Sequence, residues 1–331
     1  MNIPTLMTKV AALTGHPIRI SSHPAPYDAT DSIVVVGDPA QQISPSRQGL
    51  RMLRSVEYAR SPDAAGAPVR LRMDVITHTD GQARPAIVFV PGGGFVASPR
   101  MAAGAIRRHL AQAGYVVAII EYRTTRSGST YVEGVADVKS AVRFLRENAD
   151  RFGVDPGRIA LWGESAGGYL AAMAGVTPGD PVQAVVNKFG GSDLTLIAAG
   201  FDEATVAANT GPGTSFARYV LGPTAEIGLA DRPDEVRAAD PATYAAADLP
   251  PFLHFHGSND RIISPVQTLH LHAALRAAGA DSTRYLVTGA GHGDIAVKRG
   301  EEKLWATEPM LAIATGFLAR SLAAEPAGEA H

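Results

Sequence analysis

Residues 158–171 read RIALWGESAGGYLA, and they decide the fold because an apolar run breaks at GESAG, residues 163–167, before a helix-forming sequence resumes. These five residues match G-x-S-x-G, the pattern of a nucleophile elbow, in which a sharp turn between a strand and a helix presents a serine, here Ser165. The backbone is strained at such a turn, and a Cβ at either flanking position would crowd it. Both Gly163 and Gly167 lack one.

The segments on either side of this turn have the periodicity that the motif requires. Residues 159–162 are typical of a buried strand, and residues 168–176 are typical of the helix that follows it. A glycine-serine string in a surface loop would lack this setting. The context therefore favours Ser165 as a nucleophile over a plain loop.

The composition favours a folded protein whose partner is a small molecule. A length of 331 residues is within the range of single α/β domains, and we expect one large domain with an elaboration rather than two domains. A hydrophobic fraction of 46% and a charged fraction of 19% are typical of a globular protein. A formal net charge of −2 gives no electrostatic attraction to nucleic acid or to an anionic membrane, so we expect neither as a partner. The sequence leaves the oligomeric state open, with a homodimer as one alternative.

The chain contains no cysteine, which excludes disulfides, a thiol nucleophile and a cysteine-ligated metal. Its first 17 residues lack the continuous apolar region of a signal peptide, and no run approaches the roughly 18 apolar residues of a membrane span. These two observations predict a cytoplasmic protein.

Strand-like and helical segments alternate through most of the chain. Residues 55–60 and 69–76 alternate apolar and polar positions around a turn, which predicts an opening hairpin. From residue 86 onward, short apolar runs alternate with segments of helical spacing, one of which predicts a helix over residues 135–152. This order is typical of the α/β class, with a mainly parallel central sheet flanked by helices on both faces.

Other segments lie outside this alternation. Residues 1–50 are turn-rich and predict an N-terminal arm or cover. The predicted α/β domain then extends over residues 51–322 and ends in an amphipathic helix over roughly 303–322. Residues 190–241, rich in Gly, Pro, Ala and Asp, predict a small lid-like insertion in that domain. Residues 323–331 have little to bury and predict a mobile tail.

A serine hydroxyl needs a base that removes its proton and an acid that orients the base. Where a nucleophile elbow carries the serine, the chain order is Ser, then Asp or Glu, then His, and Ser165, Asp260 and His292 satisfy that order. Asp260 and His292 each follow a predicted strand. Asp193 and Asp294 are rival candidates for the acid, because some hydrolases place it one strand earlier.

The other histidines fit this arrangement less well. His254 and His256 alternate along one face of a predicted strand, which is one way to begin a metal site. A third ligand is not evident, and histidines satisfied within a strand are commoner. We therefore expect no metal.

Acyl transfer also needs donors for the oxyanion that forms at the substrate carbonyl. The backbone N–H after the nucleophile belongs to Ala166, and the loop PGGGF, residues 91–95, follows an apolar run and offers the amides of Gly93 and Gly94. A nucleotide site is the competing interpretation of a glycine loop. Neither G-x-G-x-x-G nor G-x-x-x-x-G-K-[ST] is present here, so the sequence favours an oxyanion hole.

Together these motifs resemble the α/β-hydrolase superfamily, in particular its esterase and lipase branch with an HGGG loop and a GESAGG elbow. That branch includes hormone-sensitive-lipase-like carboxylesterases and feruloyl-esterase-like enzymes. The resemblance extends over roughly residues 69–322 and is carried by PGGGF, EYR at 121–123, the segment 137–173, HGSND at 256–260 and GAGHGD at 289–294. It implies the α/β-hydrolase fold and serine-dependent hydrolysis of carboxylic esters through an acyl-enzyme, with no cofactor.

Two departures from the branch's pattern bear on the site. Pro91 stands where the family's loop has histidine, and EYRTTR at residues 121–126 replaces DYRLAPE, which places the chain closer to the feruloyl-esterase-like side. Proline fixes its own φ, so we expect Pro91 to stiffen the entry to a preformed glycine loop.

Two alternative functions share much of this machinery. An amidase or formamidase, or an acyltransferase, would use the same nucleophile, base and donors, so the sequence does not separate these from an esterase. A non-catalytic ligand-binding module on the same fold is a third hypothesis. Loss of the base would mark such a module, and His292 is present.

Overall fold

A computed structural model describes residues 18–293, 295 and 297–324 of the chain. A nine-stranded sheet forms the centre of this part of the protein. Its strands are β1 (Ser32–Val36), β2 (Leu50–Pro62), β3 (Pro68–His78), β4 (Arg84–Val90), β5 (Val116–Ile120), β6 (Val154–Glu164), β7 (Ala184–Lys188), β8 (Phe252–Gly257) and β9 (Ser282–Thr288).

The strand order across the sheet is β1-β9-β8-β7-β6-β4-β5-β3-β2. Strands β2 and β3 are antiparallel to each other, and β3 is antiparallel to β5, whereas the other neighbours run parallel. The predicted opening hairpin and the predicted mainly parallel sheet are both confirmed. Because the parallel strands end at one edge, the loops that follow β4, β6, β8 and β9 are brought together there.

The helices in the described part of the chain are α1 (Gly104–Gln112), α2 (Tyr131–Glu147), α3 (Ala149–Phe152), α4 (Ala166–Val176), α5 (Glu203–Thr210), α6 (Ser215–Leu221), α7 (Pro233–Ala238), α8 (Val266–Ala277) and α9 (Glu308–Ser321). Alternate residues of the central strands belong to two separate cores, with Val88 on one face and Phe89 on the other. Helices α2, α4 and α8 pack against the first face, and α1 and α9 against the second. The sheet is therefore covered on both faces, as the sequence predicts.

Strand β1 lies within the segment for which the sequence predicts an arm or cover, residues 1–50. It pairs with β9 in parallel, from Ser32 opposite Arg284 to Val36 opposite Thr288, and so forms an edge of the sheet. Half or more of the Val34 and Val36 side chains is exposed. A short exposed edge strand of this kind has little hydrophobic periodicity to predict it. Residues 1–17 lie outside the described residues.

Two predicted helix boundaries are wrong. The segment predicted as a helix over residues 135–152 starts earlier, where Thr130 and Glu133 form a capping box, and it is interrupted at Asn148 between α2 and α3. The last helix begins at Glu308 instead of near residue 303, because Pro309 fits the first turn of a helix and a short 3₁₀ turn, Glu301–Trp305, precedes it.

The insertion at residues 190–241 contains α5, α6 and α7, and its Phe216 and Tyr219 are buried in the core. Its role as a lid stays a prediction. Of the predicted tail, residues 325–331 lie outside the described residues. No helix in the part of the chain that the structure describes is long and apolar enough to span a membrane.

Candidate active site

Ser165 occupies the turn between β6 and α4. Its backbone has φ +56° and ψ −123°, a positive-φ conformation that a residue with a Cβ rarely adopts, so the turn stores strain at this serine. A Cβ at Gly167 would lie 2.1 Å from the carbonyl oxygen of Val90, which explains the requirement for glycine there. The strand–turn–helix setting predicted for the motif is therefore present.

A line of hydrogen bonds joins Ser165, His292 and Asp260. The Oγ of Ser165 lies 2.8 Å from Nε2 of His292, and Nδ1 of the same ring lies 2.7 Å from Oδ2 of Asp260. If Nδ1 carries the ring proton, Nε2 is free to accept the proton of the serine hydroxyl. The structure thus brings together the three residues that the chain order singles out, although they are far apart in sequence.

Asp260 is fully buried. Its Oδ1 accepts the backbone N–H groups of Ile262 and Ile263 at 2.9 and 3.0 Å. Burial raises the pKa of Asp260, but the neighbouring charge of His292 and hydrogen bonds from His256 and His292 outweigh it and hold the pKa well below its usual value. The carboxyl group is therefore ionised at neutral pH and can orient the ring of His292.

The rival acids are not part of this line as far as the structure describes them. The Oδ1 of Asp193 accepts the backbone N–H and the hydroxyl of Thr195 at 2.9 and 2.6 Å, and the carboxylate thereby caps a short turn. Asp193 also lines a separate hollow of about 460 Å³ together with Asp240 and His270. Asp294, the second rival, lies outside the described residues.

The two strand histidines are both buried and face different partners. Nδ1 of His254 lies 3.4 Å from Nδ2 of Asn187, and burial lowers the pKa of His254 well below its usual value. Nε2 of His256 lies 3.3 Å from Oδ2 of Asp260. Within the described ranges, no group of three or more His, Asp or Glu side chains is arranged to hold a metal ion.

The glycine loop that follows β4 lies against Ser165. A Cβ at Gly92 would be 3.0 Å from Cβ of Ser165, and one at Gly93 would be 2.0 Å from the carbonyl oxygen of Ala97. The carbonyl of Gly93 accepts the N–H groups of Val96 and Ala97, each at 3.1 Å, which closes the loop on itself. The amides of Gly93, Gly94 and Ala166 donate no hydrogen bond to another described residue.

Tyr122 supports this loop, a role that the sequence did not reveal. Its hydroxyl donates to the carbonyl oxygen of Pro91 at 2.9 Å, and Ser98 is hydrogen-bonded to its backbone. Burial raises the pKa of Tyr122, so the hydroxyl keeps its proton and remains a donor. Its place in the EYR segment was the available signal, but the contact with Pro91 joins two loops that the sequence does not show to be neighbours.

Two aromatic residues that the sequence did not reveal restrict the ring of His292, one by direct contact and one from behind it. Phe189, at the end of β7, has φ +44° and places its ring centroid 4.7 Å from that of His292. Trp305 packs edge-on against Phe189 with centroids 5.1 Å apart, and its indole N–H donates to the carbonyl of Gly291 at 3.0 Å. These contacts restrict both the ring and the loop that carries it.

A small, narrow apolar pocket lies beside Ser165 and Ala166. Its other walls come from separate parts of the chain, namely Ile18, Gly94, Phe95, Gly191, Ile197, Phe216, Ile262 and Ile263. Most of these side chains are hydrophobic. The pocket therefore suits a small apolar group next to the serine hydroxyl.

A mainly parallel sheet covered on both faces, with a strained serine turn at the carboxyl edge of a central strand, is the α/β-hydrolase fold. The model of the BD-FAE family matches residues 73–275, more than half of the chain, and the chain belongs to that family. The sequence therefore predicted both the fold and the superfamily correctly.

Two proteins that are named as esterases are similar to this chain in sequence. Esterase LipC of Mycobacterium tuberculosis is 31% identical over 261 residues, which cover 77% of this chain and 64% of LipC. The isoprenylcysteine alpha-carbonyl methylesterase ICME of Arabidopsis thaliana is 30% identical over 258 residues, which cover 73% of this chain and 56% of that enzyme. The chain thus spans less than two thirds of the length of either relative.

Two solved structures share the fold over most of their length. A truncated form of a carbohydrate esterase from gut microbiota has a TM-score of 0.70 and 23% identity, covering 85% of this chain and 99% of the other. Thermogutta terrifontis esterase 2, phosphonylated by sarin, has a TM-score of 0.63 and 25% identity, also covering 85% of this chain and 99% of the other.

Proposed function

We propose that this protein is a serine hydrolase that cleaves carboxylic esters of small molecules through an acyl-enzyme. The observation that carries the proposal is the line of hydrogen bonds from Ser165 through His292 to Asp260, at 2.8 and 2.7 Å. A serine in a strained turn, a base within reach of its hydroxyl and a buried carboxylate behind the base are the parts that nucleophilic acyl transfer requires.

In the first half of the reaction, the Oγ of Ser165 attacks the carbonyl carbon of the ester while Nε2 of His292 takes the hydroxyl proton. The C–O bond to the alcohol then breaks, and His292 gives that proton to the leaving alkoxide. In the second half, His292 takes a proton from water as the water attacks the acyl-enzyme. The acid leaves, and the proton returns to Ser165.

Asp260 and the glycine loop have supporting roles in both halves. Asp260 keeps the His292 proton on Nδ1 and stabilises the ring when it becomes positively charged. The free amides of Gly93, Gly94 and Ala166 are the proposed donors to the oxyanion, since they donate to no other described residue and belong to the two segments that border Ser165. The contact from Tyr122 to Pro91 holds the loop in this form before substrate binds.

The apolar pocket beside Ser165 is the proposed acyl site. It is narrow and lined mostly by hydrophobic side chains, so we expect it to take a short apolar acyl group rather than a long one. Phe216 and Ile197, both contributed by the insertion at residues 190–241, close this pocket. Part of the predicted lid is therefore a wall of the proposed acyl site.

The names of the relatives favour ester hydrolysis over amide hydrolysis or acyl transfer to another alcohol. LipC is named an esterase, and the Arabidopsis relative is named a methylesterase. A series of nitrophenyl esters from acetate to dodecanoate, measured beside matched nitroanilides, separates these possibilities. We expect turnover of the short esters and little of the anilides.

The decisive variant is Ser165→Ala, which should fold normally and lose on the order of 10⁴ to 10⁶ in kcat. Ser192→Ala is a matched control, because the Oγ of Ser192 is hydrogen-bonded at 2.8 Å to Asp240, and the carboxylate lies between that serine and His270. The imidazole therefore cannot take the proton of Ser192, and this variant should keep its activity. More than about a tenth of wild-type activity in Ser165→Ala would refute the proposal.

Covalent labelling gives an independent test. Thermogutta terrifontis esterase 2 is described as phosphonylated by sarin, so a fluorophosphonate is a suitable probe. It should label Ser165 in the wild-type protein and leave Ser165→Ala unlabelled, as read by peptide mass spectrometry. Labelling of a different serine would mean that Ser165 is not the nucleophile.

A further inference from the structure

A second imidazole contacts the carboxylate of Asp260. His256, in β8, is fully buried, and its Nε2 lies 3.3 Å from Oδ2 of Asp260 and 3.1 Å from the carbonyl oxygen of Ile263. The mechanism above gives this ring no part. Its position is nonetheless unusual, because Oδ2 is the same oxygen that accepts from His292.

The neighbours of His256 determine which of its ring nitrogens carries the proton. Nε2 faces two oxygens that can only accept, the Ile263 carbonyl and the Asp260 carboxylate, so a hydrogen must be on Nε2. Burial lowers the pKa of His256, and the ring is therefore neutral with a single N–H. Its Nδ1 is then an acceptor, and the Oγ1 of Thr268 lies 3.0 Å from it.

Thr268 is held in turn by a buried arginine. The Nε of Arg284 donates to Oγ1 of Thr268 at 3.0 Å. A guanidinium can only donate, so the hydroxyl hydrogen of Thr268 remains free to point at His256. Its other acceptor, the carbonyl of Pro265, is farther away at 3.4 Å.

Arg284 is 1% exposed, and within the described part of the chain it makes no ion pair. Its other hydrogen bonds go to Ser32 Oγ at 2.6 Å and to the carbonyl oxygens of Asp28 and Pro265. Burial lowers its pKa to about 10, which still leaves the group cationic at neutral pH. Along the path from Arg284 through Thr268 and His256 to Asp260, the donor of each contact is therefore the group nearer to Arg284.

We propose that Arg284, Thr268 and His256 form a directed chain of hydrogen bonds that positions the carboxylate of Asp260 for His292. The proposal rests on the role of Asp260 in the proposed function. His256 is a positioning residue, because it acts on the carboxylate of Asp260 and makes no hydrogen bond to Ser165. Oδ1 of Asp260 accepts two backbone hydrogen bonds, and Oδ2 accepts one from His292. The Nε2–H of His256 is shared between the carbonyl of Ile263 at 3.1 Å and Oδ2 at 3.3 Å, which favours one orientation of the carboxylate.

This chain of hydrogen bonds also affects the negative charge on Asp260 that His292 faces. An N–H donor near Oδ2 withdraws negative charge from the carboxylate, so weakening or losing this donor favours the protonated ring of His292. The acid limb of the kcat/KM profile should then move to higher pH. The titratable and charged groups around His256 are Asp260, Arg284 and His254 on its own strand, and the substitution at Thr268 described next leaves all three in place.

The test compares Thr268→Val, which removes the hydroxyl at almost unchanged volume, with Thr268→Ser, which keeps it. Thr268→Val leaves the Nε2–H of His256 in place but removes the hydroxyl that donates to Nδ1, which makes that N–H a weaker donor to Asp260. It should therefore lower kcat by about threefold to tenfold, leave KM unchanged and move the acid limb to higher pH by about half a pH unit, whereas Thr268→Ser should match wild type. A merely structural role would lower stability without moving the acid limb. Wild-type kcat and an unmoved acid limb in folded Thr268→Val would overturn the proposal.

A second pair of variants acts on the ring itself. Glutamine can place an amide N–H near the position of Nε2, so His256→Gln should retain more activity than His256→Leu, which has no donor. Equal kcat in the two folded variants would contradict a role for the N–H donor.

A measurement on the wild-type protein requires no variant to fold. Two-bond ¹H–¹⁵N spectra of protein labelled with ¹⁵N-histidine report the tautomer of each ring, and His256 should be the Nε2–H form across neutral pH. An Nδ1–H tautomer would overturn the inference. This readout does not depend on activity, so failure of the inference is distinguishable from failure of the proposed function, which Ser165→Ala tests.

Discussion

Replacement of Asp260 by Asn exchanges one carboxylate oxygen for an amide nitrogen and should nearly abolish turnover. Two backbone donors, the N–H groups of Ile262 and Ile263, bind Oδ1 at 2.9 and 3.0 Å, so the carbonyl oxygen of the new amide must take that place. The amide nitrogen then occupies the position of Oδ2. There it faces Nδ1 of His292, 2.7 Å away in the native arrangement.

An amide nitrogen donates hydrogen bonds, so it forces Nδ1 of His292 to become an acceptor. The ring proton then moves to Nε2, which lies 2.8 Å from Oγ of Ser165 and can no longer accept the serine proton. Because this wrong tautomer removes the general base while leaving the geometry intact, we expect kcat to fall by about 10³ to 10⁴.

The assay is the steady-state hydrolysis of 4-nitrophenyl acetate, with circular dichroism as the check that the variant is folded. Asp193→Asn is the matched control, since this rival acid also follows a strand but caps a turn at Thr195, and it should cost roughly tenfold or less. A larger loss in Asp193→Asn than in Asp260→Asn would refute the assignment and move the acid to the earlier strand.

Three further changes test other parts of the site and the fold. Pro91→His should change kcat less than about tenfold, because Tyr122 holds the loop through the backbone carbonyl of Pro91. Gly93→Pro deletes an oxyanion donor and should lower kcat by at least about 10². Similar losses of kcat in the two variants would contradict a preformed oxyanion hole. Phe216→Ala should raise the ratio of kcat/KM for nitrophenyl hexanoate over acetate by about tenfold by enlarging the acyl pocket, and an unchanged ratio would place the acyl group elsewhere. Arg123→Leu should lower the free energy of unfolding in urea by about 3–5 kcal/mol, because it leaves the buried carboxylate of Asp137 without its partner at 2.8 Å. A loss below about 1 kcal/mol would mean that this ion pair is weakly coupled to folding.

The sequence alone predicted the features that adjacent residues encode. The strand, glycine turn and helix around Ser165 are local patterns, and so is the glycine loop after β4. Alternation of strands and helices predicted the parallel sheet, since strands joined through helices run in the same direction. The order of Ser165, Asp260 and His292 along the chain followed from the elbow motif, and their chemical roles stay predictions.

Local patterns were less informative at boundaries and edges. Strand β1 escaped detection because an exposed edge strand needs no apolar alternation, and it is recognised only by its pairing with β9. The start of the last helix was placed too early because the apolar spacing continues through the 3₁₀ turn at residues 301–305. Apolar spacing indicates burial in both kinds of helix and does not mark where one replaces the other.

Only the tertiary structure decided which distant side chains meet. Asp193 and Asp260 both follow strands, and the contact of Asp260 with His292 depends on the order β9-β8-β7 in the sheet and on the path of each loop after its strand. The meeting of Arg284 on β9 with Thr268 on α8 has no counterpart in the spacing of either segment. Periodicity is a property of neighbouring residues, whereas these hydrogen bonds depend on register and packing between elements, which the whole folded chain sets together.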